Sequence, residues 1–221
     1  MTDPFAQLIP EAKIFLRELA ANNNRDWFTA SKARYQAELK APAMLLQEQL
    51  TADLAKTAGD RVSAKLFRPQ RDIRFSKDKT PYHNHLHMFW QIQGRLEFGL
   101  FLGVSPDYCR IGGGVMGFDK TQLLDWRTAI DGAEGIEIAA QLDNLAHQGF
   151  IAEDPELKRV PSAFDKDHAQ GDLLRRKSLT VWRNMPNSEW SGPLSALNAG
   201  FASLMPLRTC LSDCLTAGRS S

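Results

Sequence analysis

The chain has 221 residues, of which 43% are hydrophobic and 24% are charged, and its 27 Lys and Arg residues nearly balance its 26 Asp and Glu residues. This composition is typical of a globular protein and excludes extensive disorder beyond the terminal segments MTDP and AGRSS. A net charge of +1 predicts no general attraction to nucleic acid or to membranes. No apolar run approaches the roughly 20 residues that a membrane helix needs, so no membrane association is expected.

The cysteines and the N-terminus favour a cytoplasmic protein. Cys109, Cys210 and Cys214 cannot all pair, and they lack the spacing of zinc ligands. The first residues contain no basic segment followed by an apolar core, so no signal peptide is expected. We predict one globular domain over residues 1–221, with a core from about residue 10 to residue 217, flexible termini and no cofactor.

The chain up to about Gly59 predicts helices. Pro10 opens the first helix, and the short amides of residues 22–24 end it. A second helix begins near Asp26, and Pro42 restarts or kinks it. The apolar stripe of the first helix is formed by Ala12, Phe15, Leu16 and Leu19.

The central zone changes to an alternation of apolar and polar residues, which predicts β-strands. Residues 67–75 are predicted to form a strand with apolar odd positions toward the core and polar even positions on the other face. Residues 86–92 and 96–104 are predicted to form a hairpin closed by a three-residue loop at residues 93–95. A further strand is predicted over residues 108–115. Because short turns join these strands, the zone predicts an antiparallel meander.

From Asp119 onward the pattern is again helical. Asp119 and Gln122 resemble a capping box, residues 136–146 predict a helix, and Asp172 is predicted to cap a helix over LLRRKSLTVWRNM. One or two helices, interrupted by Pro206, are expected in the tail. The predicted fold class is therefore α+β, with N-terminal helices, a central antiparallel meander and C-terminal helices packed on the sheet.

The strongest local concentration of charge lies in RDIRFSKDKTPY and the residues just before it. Arginine side chains bind carboxylate or phosphate oxygens through two parallel hydrogen bonds, so this segment predicts a site for an anion. The alternative is a solvated ladder of ion pairs on a strand face. The candidate ligand-binding residues of the segment are Arg68, Arg71, Asp72, Arg74, Lys77, Asp78 and Lys79.

Three histidines follow directly. In a strand, His83, His85 and His87 share one face, and His-x-His can hold zinc or another divalent metal when a third ligand comes from elsewhere. No Asp, Glu or Cys nearby has an obvious ligand spacing. The alternative is a polar sheet face on which His85 binds an anion or transfers a proton near neutral pH.

Two further motifs of the sequence bear on ligand binding. Gly112, Gly114 and Gly117 satisfy G-x-G-x-x-G, but a dinucleotide fingerprint requires a βαβ unit, so close backbone packing is the better interpretation. Lys158 and Arg159 precede a turn fixed by proline. We hypothesise that these two side chains complete a basic pocket with the arginines of RDIRFSKDKTPY.

The sequence also resembles a known family, called domain of unknown function 2461. The resemblance rests on RDIRFSKDKTPY, on NNNRDWF at residues 22–28, on the glycines of residues 112–114, on the arginine of DWRTAI, and on LKRVPSAFDKDH and LLRRKSL. It covers nearly the whole chain and implies a single cytoplasmic domain of bacterial type, without implying an activity. His83 departs from the family pattern, which usually has lysine there. The pattern residues are Arg71, Asp72, Arg74, Phe75, Lys77, Asp78, Lys79, Pro81, Tyr82 and His85.

These observations lead to three functional hypotheses. The first is a site for an anionic, phosphate-bearing small ligand, formed by RDIRFSKDKTPY, with or without catalysis. In a catalytic version, His85, Tyr82 and Asp72 are the candidates for proton transfer. The second is a non-catalytic interaction module whose basic strip binds an acidic protein or nucleic acid. The third is a metal-dependent hydrolase that uses His83, His85 and His87.

Overall fold

The computed structural model describes residues 3–94 and 96–215. Arg95 and most of the termini predicted to be flexible (residues 1, 2 and 216–221) lie outside this range. The helices are α1 (Leu8–Ala21), α2 (Arg25–Ala30), α3 (Lys32–Arg34), α4 (Ala41–Ala58), α5 (Lys120–Asp131), α6 (Ala133–His147), α7 (Gly171–Leu174) and α8 (Pro193–Cys214), with a π-helical turn at Tyr35–Lys40 and a 3-10 turn at Asn187–Glu189. The strands are β1 (Val62–Leu66), β2 (Leu86–Ile92), β3 (Phe98–Val104), β4 (Cys109–Val115), β5 (Ile151–Ala152) and β6 (Leu179–Asn184).

The strands form one six-stranded antiparallel sheet in the order β1-β2-β3-β4-β6-β5. The predicted meander is present as β2, β3 and β4, and helices precede and follow it, so the α+β class is confirmed. The hairpin strands end at Ile92 and begin again at Phe98, which makes their connection longer than the predicted loop of residues 93–95. Residues 93–97 are also odd in number, so the apolar side chains of both strands still reach one face.

The helix ends follow the signals in the sequence. Asn24 caps α2 by accepting a hydrogen bond from the Trp27 backbone, and Gly59 ends α4 in the left-handed conformation at φ 67°. At α5 the predicted capping box is confirmed, because Asp119 and Gln122 each accept a hydrogen bond from the other's backbone N–H.

One predicted helix is wrong. The segment LLRRKSLTVWRNM is helical only to Leu174 and then forms β6. The Glu156 carboxylate accepts hydrogen bonds from the Lys177 backbone and the Ser178 hydroxyl, directly before the strand begins. The residues that follow include buried Thr180 and Val181, whose branched β-carbons suit a strand.

The chain divides into two compact units, while the prediction of a single domain stays a prediction. The first unit comprises the residues up to Trp90 together with Phe101–Ile111 and Asn184–Ala199. Within it, α1, α2 and the π-helical turn bury an aromatic cluster. The Phe15 ring centroid lies 5.5 to 6.4 Å from those of Trp27, Phe28 and Tyr35.

The second unit comprises Gln91–Leu100, Gly112–Arg183 and the residues from Gly200 onward. Its buried side chains include Trp126, Ile138, Phe150 and Phe201. The indole N–H of Trp126 donates to the Leu173 carbonyl at 3.0 Å, which satisfies the one polar atom of this buried ring. Among the described residues, no helix has the length and apolar character required to span a membrane.

Candidate functional site

Residues 67–82, here called the basic loop, do not form the predicted strand. The chain leaves β1 at Leu66 and makes a single antiparallel bridge, between Gln70 and Tyr82. Pro69 has no N–H to donate to a ladder, and Phe67 and Phe75 are exposed rather than part of the core, with Phe75 95% accessible. The prediction that alternate residues of this segment join the core is therefore wrong.

Arg71 is the internal brace of the basic loop. Its side chain is only 20% exposed and donates to the Asp78 carboxylate at 2.5 Å and to the Thr80 carbonyl at 3.1 Å. It also donates to the Thr80 hydroxyl and, at 3.4 Å, to the Ser76 hydroxyl. The Thr80 backbone N–H, the Arg71 guanidinium and the Thr80 hydroxyl together lower the pKa of Asp78 to about 2. Much of the hydrogen-bonding capacity of Arg71 is thus used to hold the loop.

The second arginine of the motif points to solvent. The Arg74 side chain is 76% exposed and forms a two-pronged ion pair with Asp72, with its closest N–O distance at 2.6 Å. The Arg74 guanidinium lowers the pKa of Asp72. Lys79 donates to the Ile73 carbonyl at 3.0 Å. The predicted alignment of Arg68, Asp72 and Arg74 on one strand face does not occur, since these residues do not lie in a strand.

The basic loop is anchored to the turn between α1 and α2. The Asn23 carboxamide accepts from the Tyr82 backbone N–H and donates to the Tyr82 carbonyl, and it also donates to the Asn84 side chain at 2.8 Å. The Tyr82 ring stacks on Phe28 with centroids 4.0 Å apart. Tyr82 is therefore placed as an anchor of the loop.

A stack of imidazoles follows the basic loop. His83, His85 and His87, here called the histidine ladder, have ring centroids 4.7 Å apart in the first pair and 3.7 Å apart in the second. The second pair is nearly parallel, at 16°. The His87 Nε2 lies 2.9 Å from the Tyr108 hydroxyl. Gly103 makes room for this pair, since a β-carbon there would lie 3.2 Å from the Tyr108 ring and 3.3 Å from the His87 ring.

The environment of the histidine ladder favours neutral rings. Burial, together with the charge of His83, lowers the pKa of His85 to about 4. Burial first, then the charges of His85, Arg110 and His83, lower the pKa of His87 to about 4. Burial and the Arg71 guanidinium lower the pKa of His83. A neutral imidazole can donate one hydrogen bond and accept another, so these rings are suited to binding and to proton exchange.

The same stacking argues against the ladder as a metal centre. A metal bound to an imidazole nitrogen lies close to the plane of that ring, and the nearly parallel planes of His85 and His87 cannot share such an ion. Within residues 3–94 and 96–215, no group of three or more His, Cys, Asp or Glu side chains is arranged to hold a metal.

Two residues next to the ladder were missed by the sequence reasoning. Tyr108 bonds to His87, and the Arg110 guanidinium lies 5.0 Å from the centre of the Tyr108 ring. The signal was present in β4, CRIGGGV, where Arg110 is the only charged residue and the only one that is not buried. Because arginine is seldom found within an otherwise buried strand, such a residue is a candidate for a functional role.

The family expected from the motifs was confirmed by comparison with family models. Residues 11–209 match the family described as "Conserved hypothetical protein (DUF2461)". The chain belongs to this family. The searches of curated proteins and of solved structures returned no match.

Several motifs of this DUF2461 chain now have a structural position. NNNRDWF supplies Asn23, Asn24 and Phe28, which cap α2 and anchor the basic loop. Lys158 and Arg159 lie in the second unit, between β5 and α7, and the hypothesis that they complete a basic pocket stays a prediction. Arg68 and Lys77 lie exposed on the basic loop.

The DUF2461 chain also has two apolar grooves beside α4, of about 680 and 780 Å³. The two linings have Ala41, Leu45, Glu48 and Ala52 in common. Glu48 is the one charged residue in either lining. These grooves have the wrong chemistry for an anion. The candidate site in the first unit is therefore the face that carries the histidine ladder, between Arg71 and Arg110.

Proposed function

We propose that this protein binds an anionic, phosphate-bearing small ligand on the histidine ladder. The observation that carries the proposal is the placement of a guanidinium group near each end of the ladder. Arg71 lies near His83, and Arg110 lies 5.0 Å from the ring centre of Tyr108, whose hydroxyl is 2.9 Å from His87. Arginine offers a rigid set of donors that matches the oxygens of a phosphate. The basic loop contributes to this site through Arg71.

The neutral state of the rings supports the same proposal. Burial first, and the neighbouring guanidinium groups after it, disfavour protonation of His83 and His87, and an anion bound next to the rings would offset the effect of the guanidinium groups. Binding of an anion should therefore raise the pKa of His87, and by linkage a lower pH should strengthen binding. A catalytic version of the site would use His87 and Tyr108, whose hydrogen bond lets a proton pass between the phenol and the imidazole.

The test is a titration of the protein with sulfate and with inorganic phosphate. Calorimetry and the NMR signals of the imidazole rings monitor the binding. Sulfate does not change its charge between pH 5 and pH 8, so any pH dependence of its binding reports on the protein. We expect sulfate to bind more tightly at pH 5.5 than at pH 7.5 and to shift the His87 resonances. Arg110→Gln should weaken binding by about tenfold or more, which corresponds to one charge-assisted hydrogen bond.

The matched control is Arg74→Gln, which removes an arginine that is exposed and paired with Asp72. This variant should bind sulfate as the wild type does. Equal weakening by Arg74→Gln and Arg110→Gln would contradict the proposed location and leave only a general charge effect. No binding of either anion would contradict the proposal as a whole.

One observation favours the interaction module as a second candidate. Phe75 is 95% exposed on the basic loop, with the Arg74 guanidinium 5.8 Å from its ring centre. An exposed aromatic ring among cations suits contact with an acidic protein or with nucleic acid. Fluorescence anisotropy with a labelled acidic peptide and a labelled single-stranded oligonucleotide would test this, using Phe75→Ala and Lys77→Ala. Unchanged anisotropy of both probes with the wild type would dismiss it.

A further inference from the structure

An aromatic pair lies on the same side of the sheet as the histidine ladder. In β2, half-exposed His87, Phe89 and Gln91 alternate with buried residues, so these three side chains share one face. In β3, Phe101 is the only residue that is not buried. The rings of Phe89 and Phe101 lie 4.8 Å apart with an interplanar angle of 38°.

This pair extends the proposed anion site with an apolar surface. Phe89 follows His87 by two residues on one strand face, a separation of roughly 7 Å along the backbone. Arg110 lies 5.0 Å from the ring centre of Tyr108, whose hydroxyl is 2.9 Å from His87, so a phosphate next to this cation would lie at the His87 end of the ladder. A ribose is comparable in length to the separation of His87 and Phe89, so a phosphate beside His87 and a base on the phenylalanine rings would be spaced as in one nucleotide. A simple phosphate or sugar phosphate would leave these two rings without a role in binding.

We infer that the ligand of the site carries an aromatic ring as well as a phosphate, and that its chemical class is a nucleotide. The inference rests on the proposed function, because the phosphate is the group that would bind at the His87 end of the ladder, next to Arg110. The base stacks on Phe89 and Phe101, and the sugar spans the distance to this phosphate. Stacking of a base on an aromatic side chain is worth about 1–3 kcal/mol, or roughly 5- to 150-fold in affinity.

The experiment compares four probes by calorimetry with the full chain: inorganic phosphate, ribose 5-phosphate, adenosine 5′-monophosphate and adenosine. We expect adenosine 5′-monophosphate to bind at least about fivefold more tightly than ribose 5-phosphate. Phe89→Leu should make the affinities for adenosine 5′-monophosphate and ribose 5-phosphate equal, while it leaves the affinity for ribose 5-phosphate unchanged. Phe75→Leu, which changes an aromatic residue on the basic loop, is the control and should leave the ratio as it is in the wild type.

The outcomes separate the two proposals. Equal affinity of the wild type for ribose 5-phosphate and adenosine 5′-monophosphate would overturn the inference and leave the phosphate site standing. Binding of none of the phosphate-bearing probes would overturn both. Loss of the ratio in Phe75→Leu but not in Phe89→Leu would place the base on the basic loop and would also overturn the inference. The wild-type comparison remains decisive if Phe89→Leu does not fold.

Discussion

Asn23 binds the backbone of Tyr82 through both ends of its carboxamide. Its Oδ1 accepts from the Tyr82 N–H at 3.1 Å, and its Nδ2 donates to the Tyr82 carbonyl at 2.9 Å. A side chain here reproduces the pair of hydrogen bonds that a neighbouring strand would make. The turn between α1 and α2 therefore fixes the point where the basic loop meets the histidine ladder.

The first prediction concerns this anchor. Asn23→Ala removes the two hydrogen bonds to Tyr82 and the one to Asn84, and it should lower the free energy of unfolding by about 1–3 kcal/mol, because the partly buried Tyr82 groups lose their partners. Urea unfolding measures the loss, and hydrogen exchange of the amides in residues 71–84 should become faster. The control is Asn22→Ala, whose amide bonds only within its own helix region, to the Glu18 carbonyl. Equal exchange in the two variants would contradict the anchoring role of Asn23.

The second prediction separates the two arginines of the motif. Arg71→Lys should destabilise the basic loop by about 1–2 kcal/mol, because one ammonium group cannot reach Asp78, Thr80 and Ser76 together. Arg74→Lys should leave the stability close to that of the wild type, since its pair with Asp72 is solvent-exposed. Thermal and urea unfolding measure the change in stability of both variants. A larger effect at Arg74 than at Arg71 would refute the bracing role of Arg71.

The fold class was predictable because long amphipathic helices and the alternation of β2, β3 and β4 are local signals. The capping box at Asp119 was predictable for the same reason. Strand β6 was not, because LLRRKS favours a helix locally, whereas the segment is held in its observed path by hydrogen bonds to residues some 20 positions earlier, among them Glu156 with Lys177 and Ser178. Tertiary contacts of this kind do not appear in local patterns.

The site was predictable only in part. RDIRFSKDKTPY and the adjacent histidines predicted the segment that carries the candidate site described above, but alternation alone made the basic loop look like a strand. Pro69 and the dense hydrogen bonding of Arg71 decide against that strand. Arg110 was missed, because its closeness to His87 depends on the pairing of separate strands.

The third prediction follows from the neutral histidine ladder. His85 and His87 have folded-state pKa values of about 4, against 6.5 for a free side chain. Between pH 6.5 and pH 4 the unfolded chain binds more protons than the folded one, so the free energy of unfolding falls as the pH is lowered through this window. Each histidine contributes up to about 1.4 kcal/mol per pH unit there.

The measurement is urea unfolding at intervals between pH 4 and pH 7.5. His85→Gln should reduce the slope of stability against pH, because one titrating group is removed. Asn84→Ala, a change at a neighbouring residue that does not titrate, should shift the stability without altering the slope. A slope in His85→Gln that matches the wild type would show that His85 is not held neutral by the fold.

The last prediction concerns the glycines that satisfy G-x-G-x-x-G. Gly114 has φ 143°, and a β-carbon there would lie 2.0 Å from the Leu179 carbonyl oxygen, so β4 and β6 could not keep their spacing. Gly114→Ala should therefore lower the free energy of unfolding by more than about 3 kcal/mol. At Gly117 no atom lies within 4 Å of the added carbon, and Gly117→Ala should change stability by less than about 0.5 kcal/mol.

The dinucleotide interpretation, in contrast, requires both glycines for a ligand rather than for folding. Urea unfolding distinguishes the two interpretations, because loss of stability confined to Gly114→Ala fits close strand packing, and near-wild-type stability of Gly114→Ala would contradict it.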